Sequence, residues 1–128
     1  MQQQDRPTIL VMDDERVIRD VTAQMLDLLG FNTVEAADGA QAVEMLRSDD
    51  EGTIKAALLD LTVPGGMGGR DAVIEVRAFN TDLPVFSSSG YSDDLVMADP
   101  GSYGFTDSIA KPYRMKDLSE LLERYLRR

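Results

Sequence analysis

A chain of 128 residues with 43% apolar content is the size of one domain with an ordinary hydrophobic core. It has no cysteine and no histidine, which excludes disulfides, thiolate nucleophiles, zinc–sulfur sites, serine–histidine triads and imidazole ligands. A formal net charge of -10 argues against direct contact with nucleic acid, and any metal must be a hard cation held by oxygen. No apolar run is long enough to span a bilayer, so no direct membrane contact is expected. Residues 1–6 are polar, carry no apolar leader segment and read as a flexible N-terminal stretch, with a cytoplasmic location as the default.

Residues 8–12 form a continuous apolar run between Pro7 and Asp13-Asp14, the pattern of a strand buried on both faces. Ile18, Val21, Met25, Leu28 and Leu29 then recur at helical spacing, and Gly30 follows where a C-terminal cap belongs. Residues 32–36 read as a second strand. Asp38 is the expected N-cap of a second helix that turns Ala42, Val43 and Leu46 inward. A polar turn over 49–53 leads to a third strand over 54–59, which ends in Asp60. A loop with Pro64, Gly65, Gly66, Gly68 and Gly69 precedes a third helix over 70–79. Residues 84–88 predict a fourth strand, although serine is a poor strand former. A short fourth helix over 92–98 stops at Pro100-Gly101, and a fifth strand over 108–110 runs into Lys111-Pro112. The last helix, over 115–126, lines up Leu118, Leu121, Leu122, Tyr125 and Leu126. Such a succession of βα units predicts an α/β fold, with an open parallel sheet covered by helices on both faces.

In a parallel sheet the strand ends share one edge, where ligands bind. Here that edge gathers Asp13, Asp14 and Glu15, then Asp60, then Ser89-Gly90, then Lys111. Two carboxylates about 4 Å apart repel by roughly 4 kcal/mol at an effective dielectric near 20, so crowded acids need an offsetting cation. Mg²⁺ suits the purpose, because it takes one or two carboxylates and accepts phosphate oxygens. Lys111 adds a fixed positive charge and Ser89 a hydroxyl donor. Asp60, alone at its strand end, is placed to attack a phosphoryl group and form an acyl phosphate.

The acidic doublet after an apolar strand, Asp60 with Pro64 four residues on, Ser89-Gly90 and Lys111-Pro112 together resemble the receiver domains of two-component response regulators. The likeness runs from about residue 6 to 126, so that 1–128 reads as a single receiver domain. It implies the flavodoxin-like (βα)5 three-layer sandwich with strand order 2-1-3-4-5. It implies Mg²⁺, with Mn²⁺ as a substitute, held by Asp13, Asp14, Asp60 and the backbone carbonyl of Thr62. Asp60 would be the phosphoacceptor, Ser89 the switch hydroxyl, Lys111 the phosphate contact, and the Lys111-Pro112 peptide cis. The implied partners are a histidine kinase or histidine phosphotransfer domain and a downstream protein or domain; the Ser-Ser-Gly-Tyr-Ser run and Gly-rich loop also resemble receivers of hybrid sensor kinases.

The sequence departs from that family's commonest pattern. Ser108 stands where most receivers carry an aromatic switch residue, leaving Tyr103, Phe105 or Tyr91 as candidates to replace it. The Gly-rich loop is one residue longer than usual. Tyr91, two residues past Ser89, is expected to shield the phosphoryl group from water. Two other readings stand beside the phosphorylation switch. A degenerate receiver would act as a binding module without phosphorylation. A haloacid-dehalogenase-type phosphatase would also use a strand-end aspartate, but with its second acid two residues after the nucleophile, whereas Glu15 is two residues after Asp13.

Overall fold

A computed structural model describes residues 6–90 and 94–126. Five strands, β1 (Thr8–Met12), β2 (Asn32–Ala36), β3 (Ile54–Asp60), β4 (Val85–Ser89) and β5 (Asp107–Ala110), form one parallel sheet in the order β2-β1-β3-β4-β5. The helices between and after them are α1 (Arg16–Leu28), α2 (Gly39–Arg47), α3 (Gly69–Phe79), α4 (Leu95–Ala98) and α5 (Met115–Leu126). A 3₁₀ turn, Pro100–Tyr103, links α4 to β5.

Side chains alternate across a strand, so each central strand feeds two cores. Ile9, Val11, Leu58, Phe86 and Ile109 pack under α1 and α5 with Leu26, Leu118, Leu121 and Leu122. Leu10, Met12, Leu59 and Val85 pack under α2, α3 and α4 with Val43, Leu46, Val73, Val76 and Val96. The sheet is therefore buried on both faces, as the unbroken apolar run of β1 requires.

The local signals behave as physical chemistry dictates. Asp38 caps α2 by accepting from the Gln41 N–H at 2.9 Å. Gly30 follows α1 at φ 97°, a conformation that a side chain would resist. Four elements shift from the expected bounds, among them β5, which opens at Asp107 rather than Ser108. β4 runs over 85–89 rather than 84–88, because Pro84 has no N–H to give the ladder and supplies only its carbonyl, to Ala57. Its serines are nevertheless buried, since burial between neighbouring strands outweighs their weak propensity. α3 starts at Gly69, one residue early. α4 covers only 95–98, because the Asp94 carboxylate accepts from the Val96 N–H at 2.9 Å and fixes the start there. Ser92 and Asp93, from which a longer helix was expected, lie outside the described residues.

Leu10 is wholly buried at the sheet centre, whereas Leu28 is 74% exposed. Leu10→Ala is expected to cost about 2–5 kcal/mol and Leu28→Ala within about 0.5 kcal/mol, as measured by urea denaturation.

Candidate functional site

The carboxyl ends of β1, β3, β4 and β5 deliver the expected residues to one edge. Asp13 follows β1 and Asp60 ends β3, with 2% and 7% of their surfaces exposed. Lys111, one residue past β5, reaches between them. Its Nζ lies 2.5 Å from Asp13 Oδ2 and 3.5 Å from Asp60 Oδ1. The Lys111 backbone N–H donates to the Ser89 carbonyl at 2.9 Å, which ties the lysine to the end of β4. The Lys111-Pro112 peptide is cis, as the resemblance implied.

Asp13 serves local structure and the site together. One carboxylate oxygen accepts from the Glu15 N–H at 2.9 Å and so opens α1; the other meets Lys111. Its carbonyl accepts from the Arg19 guanidinium at 2.7 Å, and Arg19 is braced in turn by Glu35 at 3.2 Å. Arg19 is a supporting residue that the sequence reading did not single out; its only signal is its place one helical turn after Glu15. Asp14 and Glu15 are exposed, and carboxylate oxygens of Asp13, Asp14 and Glu15 lie within 4.8 Å of one another. Asp60 stands outside that trio and joins Asp13 through Lys111.

The charges are unevenly compensated. Burial pushes the Asp60 carboxyl up to about 6; Lys111 opposes the rise, Asp13 adds to it, and the Thr62 backbone N–H again favours the carboxylate. For Lys111 the largest influence, burial, works downward. The hydrogen bond to Asp13 and the charges of Asp60 and Asp13 outweigh it, and the ammonium is held above its usual value.

The Gly-rich loop is not merely open ground. A Cβ on Gly68 would stand 2.2 Å from the Leu61 carbonyl oxygen, and one on Gly69 would stand 2.8 Å from that of Asp60. The start of α3 thus rests directly on the strand end that carries Asp60. The Gly39 N–H donates to the Met67 carbonyl at 2.7 Å, which pins the loop to α2 as well. A second feature unseen in sequence is Tyr113. Its hydroxyl shares a buried 2.7 Å hydrogen bond with Thr22 of α1 and ties the segment after Lys111 to the helix after Asp13.

The expected substitutes for an aromatic switch sit elsewhere. Phe105 is buried in the core under α2 and α3, Tyr103 lies under the Arg70 guanidinium at 4.9 Å, and Tyr91 lies outside the described residues. Ser108 instead donates its hydroxyl to the Met97 carbonyl.

The response regulator receiver domain family matches residues 9–123. The chain belongs to that family. Among curated relatives, this receiver is 33% identical over 109 residues to a cyclic di-GMP phosphodiesterase of Thermotoga maritima, covering 85% of the chain and 28% of the relative. It is 28% identical to the transcriptional regulatory protein YvrH of Bacillus subtilis, covering 97% of the chain and 51% of the relative. The receiver thus spans about half or less of the length of these relatives. Among solved structures it resembles the receiver domain of the sensor histidine kinase PA1611 from Pseudomonas aeruginosa, crystallised with a magnesium ion in its active site cleft. The TM-score is 0.82 at 27% identity, covering 94% of this chain and 97% of that one. A CheY-like receiver of Methanospirillum hungatei shares the fold with a TM-score of 0.82 at 23% identity, covering 93% and 92%. The flavodoxin-like architecture and the two-component class expected from sequence both hold.

The Asp60 carboxyl binds its proton more tightly folded than unfolded, so its contribution to stability is complete below about pH 4 and is lost as pH rises through about 6. Asp60→Asn removes that loss. In EDTA it is expected to stabilise the protein by on the order of 2 kcal/mol above about pH 7, and by nothing near pH 4, in melting curves taken across this range. Gly68→Ala is expected to cost about 1–3 kcal/mol in urea denaturation, by forcing α3 off the strand end.

Proposed function

We propose that the receiver takes a phosphoryl group on Asp60 from a phosphohistidine, and that the product changes its interaction surface. The observation that carries this reading is a buried carboxylate, raised toward neutrality by its surroundings and facing an ammonium 3.5 Å away, at the carboxyl edge of a parallel sheet. Asp60 Oδ attacks phosphorus as the phosphorus–nitrogen bond of the donor breaks, and the imidazole leaves with the electron pair and takes up a proton. Lys111 is placed to pair with the phosphoryl oxygens that replace the carboxylate charge, and Ser89 at the end of β4 to donate its hydroxyl to them.

The donor set fits a hard divalent cation. Every candidate ligand is oxygen: the buried Asp13, the exposed Asp14 beside it, Asp60, and the Thr62 carbonyl. Mg²⁺, or Mn²⁺ in its place, would supply charge neutralisation on the phosphoryl oxygens when bound. The residues themselves orient the acceptor, hold the lysine and keep bulk water from most of the Asp60 surface.

In this reading the chain acts as one receiver unit that accepts a phosphoryl group without turning over an external substrate. Its donor is a histidine kinase or histidine phosphotransfer domain, and its output passes to a partner protein or attached domain. A cytoplasmic site of action goes with such a donor. No helix among the described residues is long and apolar enough to cross a membrane.

Incubation with acetyl phosphate and Mg²⁺, followed by intact-mass analysis, tests the assignment. The unaltered chain is expected to gain one labile phosphoryl group and Asp60→Asn none. Lys111→Met is expected to slow the gain about 10²-fold. Steady turnover of acetyl phosphate without a retained group would mark a phosphatase, and neither gain nor turnover would mark a degenerate receiver.

A further inference from the structure

Ser88 carries a hydroxyl that nothing in the resting fold holds. The residue is 2% exposed, and its Oγ has no hydrogen-bond partner among the described residues. An unpaired buried donor bears the cost of lost hydration, so native interiors keep few of them. Arg6 Nε and Thr33 Oγ1 are in the same condition, but both lie toward the other end of the sheet: Arg6 precedes β1, and Thr33 pairs with Ile9 near its start. Of the three, only Ser88 is at the acid edge.

Register and alternation set this hydroxyl beside the acidic residue of β3. Asp60 and Ser88 are partners on adjacent strands, and the Leu61 N–H donates to the Ser88 carbonyl at 3.0 Å. Leu58 and Phe86, one pleat back, are also partners and both face α1 and α5, so Asp60 and Ser88 share that face. Adjacent strands are about 4.8 Å apart, which puts Ser88 Oγ within a χ1 rotation of the Asp60 carboxyl. Ser89 leaves the strand on the opposite face, with Ser87. The two hydroxyls at the end of β4 are therefore not equivalent.

Space alone does not explain the serine. β4 lies between β3 and β5, so Lys111 crosses the end of β4 to reach Asp60. A small residue there leaves the path clear, and alanine would do so without burying an unpaired donor. What the hydroxyl adds is a donor that is idle at rest, when Lys111 and the Thr62 N–H serve the Asp60 carboxylate.

We propose that Ser88 is a further hydroxyl donor of the site, engaging the Asp60 oxygen that does not carry phosphorus while the phosphoryl group is transferred. This deepens the phosphoacceptor reading and rests on it. As one Asp60 oxygen bonds to phosphorus, the bond from phosphorus to the donor breaks and the leaving group takes the electron pair. Lys111 turns to the phosphoryl oxygens, and the other Asp60 oxygen is left buried without its cation. The Ser88 hydroxyl rotates onto it. On hydrolysis a water oxygen bonds to phosphorus, the bond from phosphorus to Asp60 breaks and its electron pair returns to the carboxylate; the protons of the water pass to inorganic phosphate and solvent. In both directions the hydrogen bond is strongest while carboxylate charge is present on Asp60 and Lys111 is turned away, so it favours the transition state over either end.

Intact-mass time courses with acetyl phosphate and Mg²⁺, and after removal of the acetyl phosphate, read the rates of gain and loss. Ser88→Ala is expected to gain and to lose the phosphoryl group about tenfold more slowly than the unaltered chain. It is expected to melt no lower in EDTA, because its hydroxyl has no partner at rest. Ser88→Thr, which keeps a hydroxyl on a residue suited to a strand, is expected to recover most of the lost rate. Unchanged rates in Ser88→Ala, equal slowing in Ser88→Thr, or a lower melting temperature of Ser88→Ala in EDTA overturns the donor role alone. Absence of phosphorylation in the unaltered chain overturns the phosphoacceptor assignment, and the donor role with it.

Discussion

The electrostatic centre of the molecule is one ammonium shared between two buried carboxylates. Lys111 contacts Asp13 more closely than Asp60, and this inequality organises the site. The carboxylate with the shorter contact is tied into the start of α1, while the one with the longer contact is left raised in pKa at the edge of the sheet. That charge stays partly uncompensated, because burial and the neighbouring Asp13 together outweigh Lys111. The fold can maintain this because the flanking strands are locked in both cores, so relaxation of the acids away from each other is blocked by packing.

Most of the architecture was legible in the sequence because its signals are local. The unbroken apolar run of β1, the Asp38 cap and the 3.6-residue spacing of Leu118, Leu121 and Leu122 each depend on neighbours within a few positions. The fourth helix was misjudged for the same reason: several acidic and hydroxyl residues compete to cap it, and only the backbone path decides that Asp94 does so. The site was legible as a set of strand ends. Its internal division of labour was not. That Asp13 takes the nearer lysine contact, and that Gly68 and Gly69 are seats for α3 rather than slack, depend on approaches between segments far apart in sequence or on backbone clashes invisible in a string of letters.

The serines of β4 show how one run can mislead and inform at once. As a strand former Ser87-Ser88-Ser89 is poor, and read by propensity alone it weakens the assignment. In place, the alternation of the strand sends Ser87 and Ser89 to the face of α4, while Ser88 pairs with Asp60 in register. The same hydroxyls that weaken the strand give a small helix something polar to hold. Ser108, the position where an aromatic ring was missed, fits this pattern: the chain replaces bulk at that point with a hydrogen bond to Met97.

The two ends of the central ion pair are separated by 98 positions along the chain. As the polypeptide emerges from the ribosome, the β1–α1–β2 and β3 segments with their acids are complete long before the lysine that reconciles them. Until β5 is made and docks against β4, the acidic edge lacks the cation that holds it together in the finished fold.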